Sequence, residues 1–385
     1  MYSRTTIFII IIITSYMRYI NIFGANLYLM VTLLSLLLLI TTEKVLINRA
    51  FIYLLLWMAY VIFNTVFYSS KYVTLIIYLS SVLSFLLWYN ISKKTTFDKV
   101  IKIHIILFLL HLAIALLQKV TQIDFFFISQ FLSDAGQEGY GQIIKHRVPG
   151  LTFISADFYA PISLVLAYLL VYRASLLIPV IACVLYVNLS KIFVPAFLIL
   201  LAYHYFRGRK KNTSFFSIII MVALINVAGF GASIFLYDNS QEIAKTYISR
   251  VMYLEYMKIY LMENFVFGIG FDNFKDGVES ISLNYGIRAF NHNPHNIFIK
   301  FISELGLLGI SIFFISIKKI FDYRDCTFSS ESKPEKVMKY SIYLFFTQLS
   351  FHNYHLNSEL YSYLGMLAAY KLSNNSYENN RKNYK

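Results

Sequence analysis

Long apolar runs, separated by short polar punctuation, occupy most of this chain. Twelve can be read, at roughly 5–22, 26–41, 50–68, 72–90, 99–118, 158–172, 175–189, 191–206, 214–237, 296–317, 337–351 and 358–371. A straight helix needs about 20 apolar residues to cross a bilayer. The shorter runs reach that span by thinning the membrane or by adding interfacial aromatics. The runs are continuous and do not alternate, which excludes an outer-membrane barrel. The pattern predicts an all-α, polytopic integral membrane protein, a single transmembrane domain over 1–385 with about 12 transmembrane helices. The run after Arg4 resembles a signal peptide, but it continues through aromatics without a small-residue cleavage site and is expected to remain as a helix.

Composition agrees with this reading. Hydrophobic residues make up 58% of the chain and charged ones only 14%, and a soluble protein of that kind would expose large sticky patches. The net charge of +14 does not point to nucleic acid, because the basic residues fall on alternate loops and form no single stripe. They act instead as orientation signals. With the N-terminus inside, 22 of the 34 lysines and arginines fall on inside segments, so both termini are expected to be cytoplasmic. Two long loops are then outside, 119–157 and 238–295, the second carrying short helices. Residues 372–385, ending NNSYENNRKNYK, form a cytoplasmic tail expected to be disordered. Cys183 and Cys326 fall at different levels, and no disulfide is expected.

In this topology every unusual polar cluster lies on the extracytoplasmic side. Arg147, in KHRVPGLTF, precedes a Pro149-Gly150 turn and has the fork geometry for a phosphate. An interfacial arginine touching lipid headgroups fits the spacing equally well. Arg250 opens YISRVMYLEYMKIYLMENFVFGIG, a weakly amphipathic stretch suited to lying along the membrane surface and broken by Gly268 and Gly270. There it stands at headgroup height, either binding a lipid diphosphate or snorkelling. Lys191, after Ser190, is a further cation or a helix-end anchor.

The densest polar stretch is HNPHNIFIKFISELGLLG, residues 292–309, where a polar loop becomes an apolar helix. His295 has the proton-transfer chemistry that suits neutral pH, and Asn296 beside it can bond a sugar hydroxyl or the loop. The plainer alternative is a helix-end histidine bonded to headgroups or loop carbonyls, and His292 shares that ambiguity. Pro294 disturbs the spacing of the two histidines and no third ligand is evident, so no metal site is expected. Lys300 and Glu304, at i and i+4, read first as a structural ion pair, and Gly306 and Gly309 as points of close helix contact. There is no nucleotide-binding loop and no serine nucleophile elbow, so any chemistry outside must use a preactivated substrate, and no cofactor is expected.

Four of these elements, in this order, resemble the superfamily of bacterial O-antigen ligases and O-antigen polymerases. HNIFIKFISELGLLG resembles its His-Asn, apolar run, Glu-Leu-Gly-Leu-x-Gly pattern. Arg250 followed by FGIG at 267–270 is similar to its arginine, helix and glycine loop, without the usual proline. RVPGLTF at 147–153 resembles its Arg-x-x-Gly turn, and LSK at 189–191 stands where the family usually has Ser-Arg. Lysine there keeps the charge and loses the bidentate fork. The match covers roughly residues 140–320.

The resemblance implies a metal-independent, inverting glycosyl transfer from an undecaprenyl-diphosphate donor at the outer face of the bacterial inner membrane. Matched residue by residue, Arg250 would neutralise diphosphate, Arg147 and Lys191 would assist, and His295 would act on the acceptor hydroxyl. A flippase and a chain-length regulator are implied as partners. Polymerisation of repeat units into O-antigen or capsular polysaccharide is preferred to ligation onto lipid A–core or a protein. The polymerases are the more diverse group, and this chain is rich in Ile, Tyr, Phe and Asn. A flippase for lipid-linked sugar is the reading from another class. It would place its polar groups near the midplane, whereas these sit at the outer face.

Overall fold

The computed structural model describes residues 9–11, 13–14, 21–22, 25–42, 45–123, 159–187, 193–206, 213–239, 244–285, 294, 296–322, 331–349 and 360–371. Among them every regular element is a helix, apart from a two-residue antiparallel ladder, β1 (Asn21–Ile22) with β2 (Ala25–Asn26). The helices are α1 (Leu27–Thr42), α2 (Arg49–Tyr68), α3 (Tyr72–Lys94), α4 (Phe97–Thr121) and α5 (Tyr159–Tyr172). After a 3₁₀ turn at Ala174–Leu176 come α6 (Leu177–Val187), α7 (Phe193–Phe206), α8 (Phe215–Asn239), α9 (Ala244–Glu263) and α10 (Phe274–Tyr285). The last are α11 (Ile297–Asp322), α12 (Lys333–Leu349) and α13 (360–371). The first apolar run departs from expectation: residues 9–11 and 13–14 are helical, but Asn21–Ile22 at its end is extended and pairs with Ala25–Asn26.

Four helices, α2, α3, α4 and α11, are long and apolar enough to cross a membrane, and shorter apolar helices accompany them. Their outward faces carry Leu56, Phe67, Val73, Ile76, Ile106 and Leu117, each more than half exposed. Water is a poor solvent for so continuous an apolar surface, and lipid a good one. The protein is membrane-embedded. Two polar side chains within these helices bond their own backbone one turn earlier: Thr65 Oγ1 donates to the Val61 carbonyl at 2.8 Å and Ser80 Oγ to the Ile76 carbonyl at 2.8 Å. Asn48 caps α2 by accepting from the Ala50 N–H at 2.8 Å.

The core joins α2, α3, α11 and α13. Trp57 is fully buried, its ring 5.1 Å from that of Phe313, and its indole N–H donates to the Tyr78 hydroxyl at 2.8 Å. The Tyr78 and Tyr361 hydroxyls bond each other in turn. Three buried ring systems thus share one polar thread through the apolar interior.

Helix ends gather into two groups. In one, Lys339 of α12 sits 2.8 Å from both Glu331 and Glu335, Glu331 accepts from Thr213 before α8, and Lys371 of α13 caps the Ile320 and Phe321 carbonyls of α11. Lys333 also lies over the Tyr172 ring at the end of α5. The other group brings together the α2–α3 turn, the segment between α9 and α10, and the start of α11.

Candidate functional site

The second group of helix ends is built around a break in α11. Gly306 lies within that helix at φ 65°, ψ −173°, a conformation available essentially only to glycine. The break frees backbone groups on both sides, and in an apolar interior each must find a partner. The segment following α9 supplies them. The Leu307 and Leu308 N–H groups donate to the Phe265 and Val266 carbonyls at 3.0 and 3.1 Å. In return the Ile269 and Gly270 N–H groups donate to the Ser303 and Glu304 carbonyls at 3.0 and 2.9 Å. The loop FVFGIG therefore completes the ladder that the helix gives up. The approach is close: a Cβ on Gly268, itself at φ 71°, would stand 2.5 Å from the Glu304 backbone.

Side chains from α2 seal this interlock. Asn64, fully buried, donates to the Phe267 carbonyl at 2.8 Å and accepts from the Phe271 N–H at 2.7 Å. The Tyr60 hydroxyl donates to the Leu305 carbonyl at 2.6 Å. Asn273 Nδ2 donates to the Tyr68 and Ile269 carbonyls, each at 3.0 Å.

Charge is concentrated at the same place. Lys300 Nζ is 2.7 Å from Asp272 Oδ1 and 3.5 Å from Glu304 Oε1. Lys300 and Glu304 are fully buried, while Asp272 keeps slight exposure. The expected i, i+4 pair is present, and Asp272 adds a closer partner that spacing did not reveal. Glu304 Oε1 also accepts from the Phe274 N–H at 3.1 Å, which ties the carboxylate to the start of α10. Glu304 Oε2 and Ser303 Oγ are buried with no hydrogen-bond partner among the described residues. Nearer the surface, Lys71 meets Asp276 at 2.6 Å, and that carboxylate holds the ammonium pKa above its ordinary value.

No family model, curated protein or solved structure matches this chain. The arrangement of its own residues is therefore what bears on function.

α9 carries Tyr253, Tyr256, Ile259 and Tyr260 on one buried face, against Phe274, Val278 and Ile281 of α10 and Ile299 of α11. The Tyr260 hydroxyl donates to the Phe274 carbonyl at 2.9 Å, and burial pushes its pKa up. The backbone of Arg250 is helical, three residues before Tyr253, and its side chain lies outside the described residues. His295, His292, Arg147 and Lys191 also lie outside the described residues. Asn296 is described and caps α11: its Oδ1 accepts from the Phe298 and Ile299 N–H groups at 2.9 and 3.1 Å, and its Nδ2 donates to Asn226 Oδ1 of α8 at 3.0 Å. This carboxamide is engaged in structure, and His295 immediately precedes the cap. Among the described residues no group of three His, Cys, Asp or Glu could hold a metal ion.

Sequence reasoning missed Asn64 and Asp272. For Asn64 a signal existed, a lone carboxamide inside the apolar run of α2. Asp272 gave none, because its partner lies 28 residues away.

Proposed function

We propose that this protein polymerises undecaprenyl-diphosphate-linked oligosaccharide repeat units into O-antigen or capsular polysaccharide, by metal-independent inverting glycosyl transfer at the outer face of the bacterial inner membrane. The observation that carries the reading is the contact between two motifs recognised separately in sequence. FGIG at 267–270 and ELGLLG at 304–309 form one interlocked unit, beside the helix that bears Arg250 and below the start of the helix that His295 precedes. Arg250 would neutralise the diphosphate as it leaves, with Arg147 and Lys191 in support, and His295 would take the acceptor proton. The glycosyl–phosphate bond already stores the driving force, so no nucleotide is required.

The break in α11 gives some support to a second reading, a flippase, since transporters are built around discontinuous helices. Against it, the freed backbone here is filled by the chain itself and is not left open to a substrate. Polysaccharide gels of a strain lacking the protein separate the readings. Single repeat units on lipid A–core are expected. Full-length polymer held on undecaprenyl diphosphate would indicate a ligase, and lipid-linked units retained at the cytoplasmic face a flippase.

The proposed topology has about 12 spans with both termini cytoplasmic. The grouping of Thr213, Glu331 and Lys371 at one bundle end supports the same sidedness for those three loops. An impermeant thiol reagent is expected to label a cysteine at Asn239 from outside and not one at Asn212. The reverse pattern would overturn the model.

Arg250→Ala is expected to abolish polymer while the protein level persists. Arg250→Lys should restore only part of it, because lysine lacks the planar fork that matches two phosphate oxygens. Full polymer in Arg250→Ala would remove the residue from the site.

A further inference from the structure

Three charges, Asp272, Lys300 and Glu304, meet where α11 packs on the segment that follows α9. Two are fully buried, and all are bound to one another or to backbone. Such a group is costly to bury, and hydrophobic residues of similar size would pack as well. Its position is informative. Asp272 belongs to the segment that follows α9, whereas Lys300 and Glu304 belong to the first turns of α11, before the break at Gly306. The ion pair therefore joins the two elements that the backbone interlock also joins.

The proposed reacting groups adjoin the same two elements in sequence. Arg250 is about one turn before Tyr253, and His295 is four residues before Ile299 in sequence, and both Tyr253 and Ile299 belong to the apolar cluster under α9. Apolar packing is non-directional and tolerates sliding. The ion pair and the ladder bonds are directional and fix one register.

We propose that Asp272, Lys300 and Glu304 form an electrostatic latch that locks the register of the segment following α9 against the first turns of α11, and so of the helix that bears Arg250 against the helix start that His295 precedes. The assignment of these three as positioning residues rests on the glycosyl-transfer reading above; the latch itself does not. Lys300 clamps the α9–α10 segment through Asp272, and Glu304 holds both Lys300 and the start of α10.

Asp272→Asn is the variant that tests this. Asparagine is isosteric and tolerates the left-handed backbone found at Asp272, φ 61°. Lys300 keeps Glu304 as counter-charge, so the fold survives, whereas Lys300→Met would strand a buried carboxylate. Spin labels at Lys258 of α9 and Ile315 of α11, both exposed, report the register by pulsed electron resonance, with Cys183 and Cys326 replaced by serine. The native protein is expected to give a narrow distance distribution and Asp272→Asn a broadened one. Turnover of a lipid-linked repeat unit by purified Asp272→Asn should fall about 10- to 100-fold, the scale of a small misplacement of reacting groups. KM should stay within about twofold and the thermal midpoint near the native value, since uniform binding is untouched.

An unchanged distribution in Asp272→Asn overturns the latch, whatever the activity. A broadened distribution with native kcat overturns the positioning role. Broadening in a protein whose native form transfers no sugar upholds the latch and removes the glycosyl-transfer reading.

Discussion

Replacing His295 with alanine is expected to slow the proposed glycosyl transfer by about 10²–10⁴-fold, the range that one positioned acid–base group contributes. The residue immediately precedes the Asn296 cap of α11, at the junction of a long polar segment and an apolar helix. Imidazole is the side chain whose proton affinity best suits removal of a hydroxyl proton near neutral pH. Binding of the lipid-linked donor should change much less, because the diphosphate is assigned to Arg250. The loss should therefore fall on kcat. His292→Ala should be milder, since His292 occupies no position of the pattern that the 295–309 segment resembles. Purified protein, a lipid-linked repeat unit and a chelator make the assay decisive. Normal turnover by His295→Ala would eliminate the base, and loss of native activity on chelation would point to a metal.

Gly306→Ala should cost the protein roughly 3–6 kcal/mol, the sum of backbone strain and the interlock bonds it would break. Gly306 stands at φ 65°, ψ −173°, and an added Cβ would overlap the Val266 carbonyl. Relief requires the 265–270 segment to withdraw, which strands the N–H groups of Leu307 and Leu308 in an apolar setting. Against a total stability of about 5–15 kcal/mol, the loss should appear as a sharply lower thermal midpoint and a poor yield of monodisperse protein in detergent. Gly231→Ala in α8 is the control, since nothing lies within 4 Å of its added Cβ. A native midpoint for Gly306→Ala would mean that the interlock contributes little.

Much of the fold was legible because apolar periodicity is a local property. The runs at 50–68, 72–90 and 99–118 emerge as α2, α3 and α4, and the run at 296–317 as α11, each within a few residues at its start. The runs at 175–189 and 191–206 appear as shorter apolar helices, whose lengths alone do not define spans. In the run at 5–22 the described residues 9–11 and 13–14 are helical, and Asn21–Ile22 at its end are extended, a boundary that hydrophobicity alone does not mark. The pairing of Lys300 with Glu304 was readable because i, i+4 spacing fixes neighbours on a helix.

Sequence by itself determined the membrane setting, the helices, the glycines at 268, 270 and 306, and the polar stretch from His292 to Gly309. These follow from side-chain chemistry and from spacing within one helix turn. Only the tertiary structure decided what the glycines are for. They allow the FVFGIG segment to replace hydrogen bonds that α11 lacks at its break. It also decided that Asn64 serves that segment, that Asn296 is a cap, and that Lys300 finds its closest partner in Asp272. The physical reason is that a buried backbone group or charge must be satisfied, but its partner need not be near in sequence. Which partner answers is settled by packing between helices, and no local pattern records it.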